Sequence, residues 1–201
     1  MPNNRYLIFW LLAIALLASC ASRKVGFARY YFQHQQALIA IEQSYKTLYK
    51  IKPFSVEFTD RSFNYLSLEI ITYSLKYIYE FNIQEPRLRD TLVKYNLPVT
   101  GVTSLIKQMQ SIRCTWINSL DYYSNNQKNH LVFMSMRPLA VQVPFGSEKY
   151  FILTFYNQPQ YFDADGRLEV NRRQRQLRKI DGQIFHRIND KVCYAISERF
   201  R

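Results

Sequence analysis

The sequence predicts an α+β fold, with N-terminal amphipathic helices packed on a C-terminal antiparallel β-sheet, and three features of its patterning carry the prediction. Ahead of Asn129, apolar residues recur at intervals of three, four or seven, the spacing of a helix face. After Asn129 the chain turns into short β-branched and aromatic runs. Turn-forming residues separate those runs, so adjacent strands are expected to pair antiparallel.

The helices are expected in order. From Ala28 to Lys50 the positions Tyr31, Leu38, Ile41, Tyr45 and Leu48 form one apolar stripe, and Pro53 supplies a stop just beyond. Between Asp60 and Phe81, the residues Phe63, Leu66, Ile70, Tyr73 and Tyr77 fit a helix, while Leu66, Leu68 and Ile70 also alternate; helix is the reading taken. Pro86 opens a short helix through Tyr95. Pro98 and Gly101 then break the chain before a run with Leu105, Met109, Ile112, Trp116 and Leu120 on one helical face.

Strands are expected over His130 to Met136, Tyr150 to Tyr156, Gln183 to Ile188 and Val192 to Ile196. Asn189-Asp190 separates the last two, and Asp165-Gly166 offers a second place for positive backbone angles. Of 201 residues 48% are hydrophobic and only five are Gly, enough apolar matter for one packed domain. No internal repeat, low-complexity tract or dividing linker interrupts it. The organisation expected is residues 1–19 as a leader, 20–26 as a short tether and 27–201 as one domain.

The leader carries its own logic. A positive start at the amino terminus and Arg5 precedes an unbroken apolar run from Leu7 to Ala18, with no acidic residue. That is the plan of a secretory signal, and the run is shorter than the roughly 20 residues needed to span a bilayer. Leu17-Ala18-Ser19-Cys20 resembles the lipobox of bacterial lipoproteins. The resemblance covers only the signal and Cys20, and implies cleavage before Cys20 with diacylglycerol on its sulfur. Two or three acyl chains, each buried methylene contributing about 0.8 kcal/mol, would make detachment rare. In such lipoproteins the residues after the cysteine direct sorting; Ala21 and Ser22 favour release to the outer membrane, and Arg23 and Lys24 a domain facing the periplasm.

Removing residues 1–19 takes one Arg from 27 basic residues and none of the 15 acidic ones, leaving a formal charge of +11. Six residues separate Cys20 from Phe27, a reach of roughly 20 Å. The domain would therefore lie near its membrane, where anionic lipid or lipopolysaccharide phosphates attract it. The strongest positive run holds Arg167, Arg172, Arg173, Arg175, Arg178 and Lys179 with Glu169 as its one acid. It reads as a surface for an anionic partner, or equally as a solvated hairpin edge that discourages strand addition. Nucleic acid is not expected, since an exported protein rarely meets any and no base-stacking module accompanies the run.

Chemistry-bearing motifs are missing. His34, His130 and His186 are scattered, with no second ligand at metal spacing, and no nucleophile elbow or phosphate-cradling loop is present. No metal or cofactor is expected. Asp163-Ala164-Asp165-Gly166 is half of a calcium loop, but the matching alignment places Tyr161 and Arg172 where acids are required, so a turn is expected instead. Cys114 and Cys193 stand either as one disulfide, which an oxidising compartment would form, or as two small buried hydrophobes. The tyrosines are mostly core, yet Tyr30, Tyr31, Tyr122, Tyr123, Tyr77 and Tyr79 cannot all point inward, and surface aromatics mark partners.

Two functions follow from different classes. The first is a non-catalytic, membrane-anchored subunit of a cell-envelope assembly of the secretion or transport type, holding an envelope protein partner. The second is a small envelope enzyme or ligand carrier acting on lipid, glycan or peptidoglycan. Convergent His, Asp or Glu side chains in a cleft would favour the second; a closed apolar core with a large exposed patch favours the first.

Overall fold

A computed structural model describes residues 28–124, 127–141, 149–162, 164, 166–167 and 185–197. The chain divides into a short unit, residues 1–38, and a larger one, residues 39–201. Residues 28–33 are helical and α1 spans Gln35–Ile51. The predicted stripe of Tyr31, Leu38, Ile41, Tyr45 and Leu48 is buried throughout.

The larger unit continues β1 (Phe54–Phe58), β2 (Tyr65–Ile71), β3 (Lys76–Asn82), α2 (Pro86–Lys94), α3 (Val99–Ser111), β4 (Cys114–Ser124), β5 (Gln127–Val141), β6 (Lys149–Tyr156), β7 (His186–Arg187) and β8 (Val192–Ser197). Among the described residues the strands form one eight-stranded sheet in the order β3-β2-β1-β4-β5-β6-β8-β7, and every pairing is antiparallel. The α+β class holds, with helices ahead of the main body of the sheet.

Two predicted helices give way to strands. Asp60 to Phe81 is not a helix but the hairpin β2–β3, because Leu66, Leu68 and Ile70 use a period of two to bury one face against Phe58, Val56 and Phe54 of β1. Tyr73 lies in the hairpin turn, where Thr72 Oγ1 accepts from Leu75 N–H at 3.0 Å. The helix through Leu105 also stops early, at Ser111. Arg113 takes φ 54° and its N–H donates to Gln110 O at 3.0 Å, a left-handed helix ending without glycine. Trp116 and Leu120 therefore belong to β4.

α2 ends by the same device in fuller form. Asn96 has φ 56°, its N–H donates to Val93 O at 3.0 Å and Leu97 N–H to Leu92 O at 2.9 Å. These are the paired bonds of a Schellman ending, with Leu92 and Leu97 both buried beside it.

The sheet register sorts side chains to two faces. Tyr77, Tyr79 and Phe81 share a face with Leu68, Val56, Ile117, Met134 and Leu153. Helices meet this face: Tyr95 at the end of α2 has its ring 6.0 Å from that of Tyr77 and 5.9 Å from that of Tyr79, and Tyr45 of α1 donates its hydroxyl to Phe54 O. Lys46 of α1 reaches Asn157 beyond β6. The opposite face is also covered across β4 to β8, where Tyr122, Leu131, Tyr156, Cys193 and Ala195 cluster with Phe185 and Phe162. Burial on both faces explains why the runs of β6 and β8 read as nearly continuous apolar sequence.

Candidate functional site

The predicted site residues are distributed unevenly. Cys20 and the leader fall outside the described residues, as do Arg172, Arg173, Arg175, Arg178 and Lys179. Arg167 is exposed and pairs with His186 in an isolated antiparallel bridge. Asp163 and Asp165 also fall outside, but Gly166 adopts φ +72°, the positive angle expected at this turn. Asn189-Asp190 closes the last hairpin differently: neither has a positive φ, and Asn189 Oδ1 accepts from Lys191 and Val192 N–H at 2.9 and 2.8 Å.

Cys114 begins β4 and Cys193 lies in β8, with β5 and β6 between them. Three strand spacings of about 4.8 Å put them at least roughly 14 Å apart, and the register, in which Cys114 lines up with Ile196, adds a three-residue offset along the strands; both exceed the ~7 Å between Cα atoms that a disulfide bridges. Of the two readings, the buried-hydrophobe one fits both residues. Burial pushes the Cys114 thiol up to about 12, so it stays protonated and inert.

His34 lies just before α1, His130 in β5 and His186 in β7, and among the described residues no three His, Cys, Asp or Glu side chains come together to hold a metal ion. His130 meets a carboxylate. His130 of β5 and Asp121 of β4 face each other across the ladder, with Nδ1 2.6 Å from Oδ1 and side-chain exposures of 47% for His130 and 39% for Asp121. Lys128 Nζ lies 2.6 Å from the other carboxylate oxygen. Burial, and secondarily the charge of Asp121, raises Tyr49. A carboxylate orienting an imidazole is a unit of proton-transfer sites. On an open hairpin, however, such pairs contribute only about 0–1 kcal/mol, and this one reads as a surface contact of the ladder.

The larger unoccupied surface lies at the β3 end of the sheet. β3 is its terminal strand, and most of its residues are exposed. Tyr65, Tyr73, Leu75, Tyr77 and Ile78 of the β2–β3 hairpin and Val93 of α2 are exposed large apolar side chains, with Tyr77 and Ile78 on opposite faces of the strand. The strand is stiffened from one side. Tyr79 and Tyr95 share a hydrogen bond of 2.6 Å between hydroxyls, which pushes Tyr95 up to about 12. Arg87 lies over the Phe81 ring at 6.0 Å and Lys94 over that of Tyr95 at 5.3 Å.

The hydrogen-bond phase of the hairpin decides what β3 offers outward. Ile83 N–H donates to Asn64 O and Thr72 N–H to Leu75 O, each at 2.9 Å. Alternate pairs between them, at Phe81, Tyr79 and Tyr77, therefore bond to β2. The backbone groups of Lys76, Ile78, Glu80 and Asn82 face the outer side. Asn82 is already used, since its N–H donates to Glu85 Oε2 at 3.3 Å and its carbonyl accepts from Glu85 N–H at 2.9 Å. Lys76, Ile78 and Glu80 form the open edge.

The sequence reading placed Tyr73 and Tyr77 on a helix, and so missed the strand edge, although it counted Tyr77 and Tyr79 among tyrosines that could not all point inward, and Tyr77 is exposed. The alternation of Leu66, Leu68 and Ile70 was the available signal, because extending it through the Thr72-Ser74 break makes Lys76 to Asn82 the partner strand. Among the described residues no helix is long and apolar enough to cross a membrane. No protein-family model, curated protein or solved structure matches the chain.

Proposed function

We propose that this chain is a non-catalytic, lipid-anchored subunit of a bacterial cell-envelope assembly, of the secretion or transport type, with its domain on the periplasmic side of the outer membrane. The observation that carries the protein-contact part of this reading is the set of exposed apolar side chains, Tyr73, Leu75, Tyr77 and Ile78, along the terminal strand β3 and its turn, beside a closed core. Large exposed apolar patches are the mark of protein–protein surfaces. The anchor is carried by the order of apolar run, small pair and Cys20 in the leader. The basic balance of the chain suits a surface rich in lipid or lipopolysaccharide phosphate.

The test is a crosslinked pull-down of the full chain from its own membranes, with Cys20→Ala alongside. The expected result is stoichiometric recovery of envelope-assembly components with the native chain and loss of membrane attachment in the variant. Recovery of the protein alone would favour the envelope enzyme or carrier, and unchanged attachment of Cys20→Ala would remove the lipid anchor.

A further inference from the structure

The open edge of β3 is self-complementary, and we propose that it pairs with β3 of a second copy of this chain, joining two sheets into one across a two-fold axis at Ile78. The inference rests on reading the β3 end as a protein-contact surface and names what sits there.

Register carries the argument. Only Lys76, Ile78 and Glu80 present open backbone groups on this edge. An antiparallel two-fold through Ile78 sets Lys76 of each copy opposite Glu80 of the other, and Ile78 opposite Ile78. Each of these three facing pairs is then a hydrogen-bonded one, exchanging N–H···O bonds in both directions. Opposite charges directly across a ladder stabilise it and like charges oppose it. Slipping the axis to Tyr77 would set Lys76 against Ile78, and slipping it to Tyr79 would set Ile78 against Glu80. A further step in either direction would set Lys76 against Lys76 or Glu80 against Glu80. The sequence Lys-Tyr-Ile-Tyr-Glu thus favours one register over its neighbours, which a flat apolar edge would not.

The surroundings agree. Ile78 is 57% exposed, an unusual place for a β-branched apolar side chain on a terminal strand, where charge ordinarily blocks pairing. Lys76 lies 2.7 Å from Glu69 of its own sheet, so in the pair it would stand between that carboxylate and Glu80 of the second copy. On the other face the same axis opposes Tyr77 of each copy to Tyr79 of the other. The ladder closes at one end where Glu85 takes Asn82 and at the other in the Thr72–Leu75 turn. Tyr73 and Leu75 remain exposed in the turn at the end of the strand, where they would widen the contact.

Charge reversal with a swap tests it. Sedimentation equilibrium of the full chain in detergent should show a concentration-dependent dimer. Lys76→Glu and Glu80→Lys should each weaken it by about tenfold, since symmetry repeats every like-charge contact. The doubly swapped chain, Lys76→Glu with Glu80→Lys, should recover the native association to within a few-fold. These side chains are exposed, so circular dichroism should report an unchanged fold in all three. A chain that stays monomeric at every concentration, single reversals that leave the dimer intact, or a swap no better than either single change would overturn the pairing. A monomer that still recovers envelope components in the pull-down overturns the self-pairing alone. A dimer that recovers none retains it and overturns the assembly reading.

Discussion

The middle of the sheet and its β3 end follow different rules. In β4, β5, β6 and β8 both faces are covered: Met134 and Leu153 are buried on one and Leu131 and Tyr156 on the other. In β3 only Phe81 is buried, while Tyr77 and Ile78 on opposite faces are both exposed. Strands closed on both faces hold the more stable part of a fold, and a strand largely exposed on its faces and open along its edge is left for contacts outside the chain. The same residue types therefore mean different things at the two ends, aromatic as packing in β6 and aromatic as contact surface in β3.

The largest expected effect tests that contrast directly. Phe151 is completely buried on β6, its ring 5.1 Å from that of Tyr194. Phe151→Ala should cost about 3–5 kcal/mol through lost transfer energy and the cavity left behind. Ile78→Ala, on the exposed edge, should stay within about 0.5 kcal/mol in the monomer. Urea unfolding of both variants at low protein concentration measures the difference, and equal costs would erase the distinction between core strands and contact strand.

A smaller effect lies where the two regions join. The loop from β1 to β2 is organised by Asp60, whose carboxylate accepts from the N–H groups of Asn64 and Tyr65 at 2.9 Å and of Ser62 at 3.2 Å. Inside it Phe63 holds φ 61°, with its ring 4.8 Å from that of Phe58 and its carbonyl accepting from Gln110 Nε2 at 2.8 Å. Burial would raise the Asp60 carboxyl, but the bonds from Tyr65, Asn64 and Ser62 outweigh it and hold it below the usual value. A depressed carboxyl contributes stability that is present in full above the unfolded value of about 3.9 and is lost as pH falls through the lower folded value. Asp60→Ala should cost about 1–2 kcal/mol near neutral pH. Asp60→Asn should flatten the acid limb of the stability profile; an acid limb that keeps its full slope would assign it to other carboxylates.

How much of this was legible in the sequence depends on spacing. Tyr31, Leu38, Ile41, Tyr45 and Leu48 mix intervals of three, four and seven, which no strand can place on one face, and that helix was read correctly. The pairs Leu66 with Ile70, Tyr73 with Tyr77, and Trp116 with Leu120 are each four apart, which suits a helical turn and a strand of period two equally. There the sequence was ambiguous, and the alternation of Leu68 between Leu66 and Ile70 was the better guide. The end of α3 left no mark, because the left-handed position falls on Arg113 rather than on glycine. The candidate edge was hidden for a related reason: Lys76, Ile78 and Glu80 become an outward row only once the hydrogen-bond phase of β2 with β3 is known.

The smallest expected effect concerns the side support of that edge. The hydroxyls of Tyr79 and Tyr95 stand 2.6 Å apart, and this bond, with lesser help from desolvation and the neighbouring tyrosines, is what lifts Tyr95 to about 12. Replacing the donor-acceptor partner while keeping its ring separates the bond from the packing. In Tyr79→Phe the ring contact at 5.9 Å remains available, so the fold should be retained while Tyr95 titrates near the ordinary tyrosine value of about 10. Ultraviolet difference titration of phenolate absorbance, comparing the native chain with the Tyr79→Phe and Tyr95→Phe variants, assigns the transition. A native chain in which Tyr95 titrates at the ordinary value would mean that α2 does not hold β3 through this bond. The edge would then owe its position to β2 alone, and self-association should respond to changes in the β2–β3 turn rather than to changes at Tyr95.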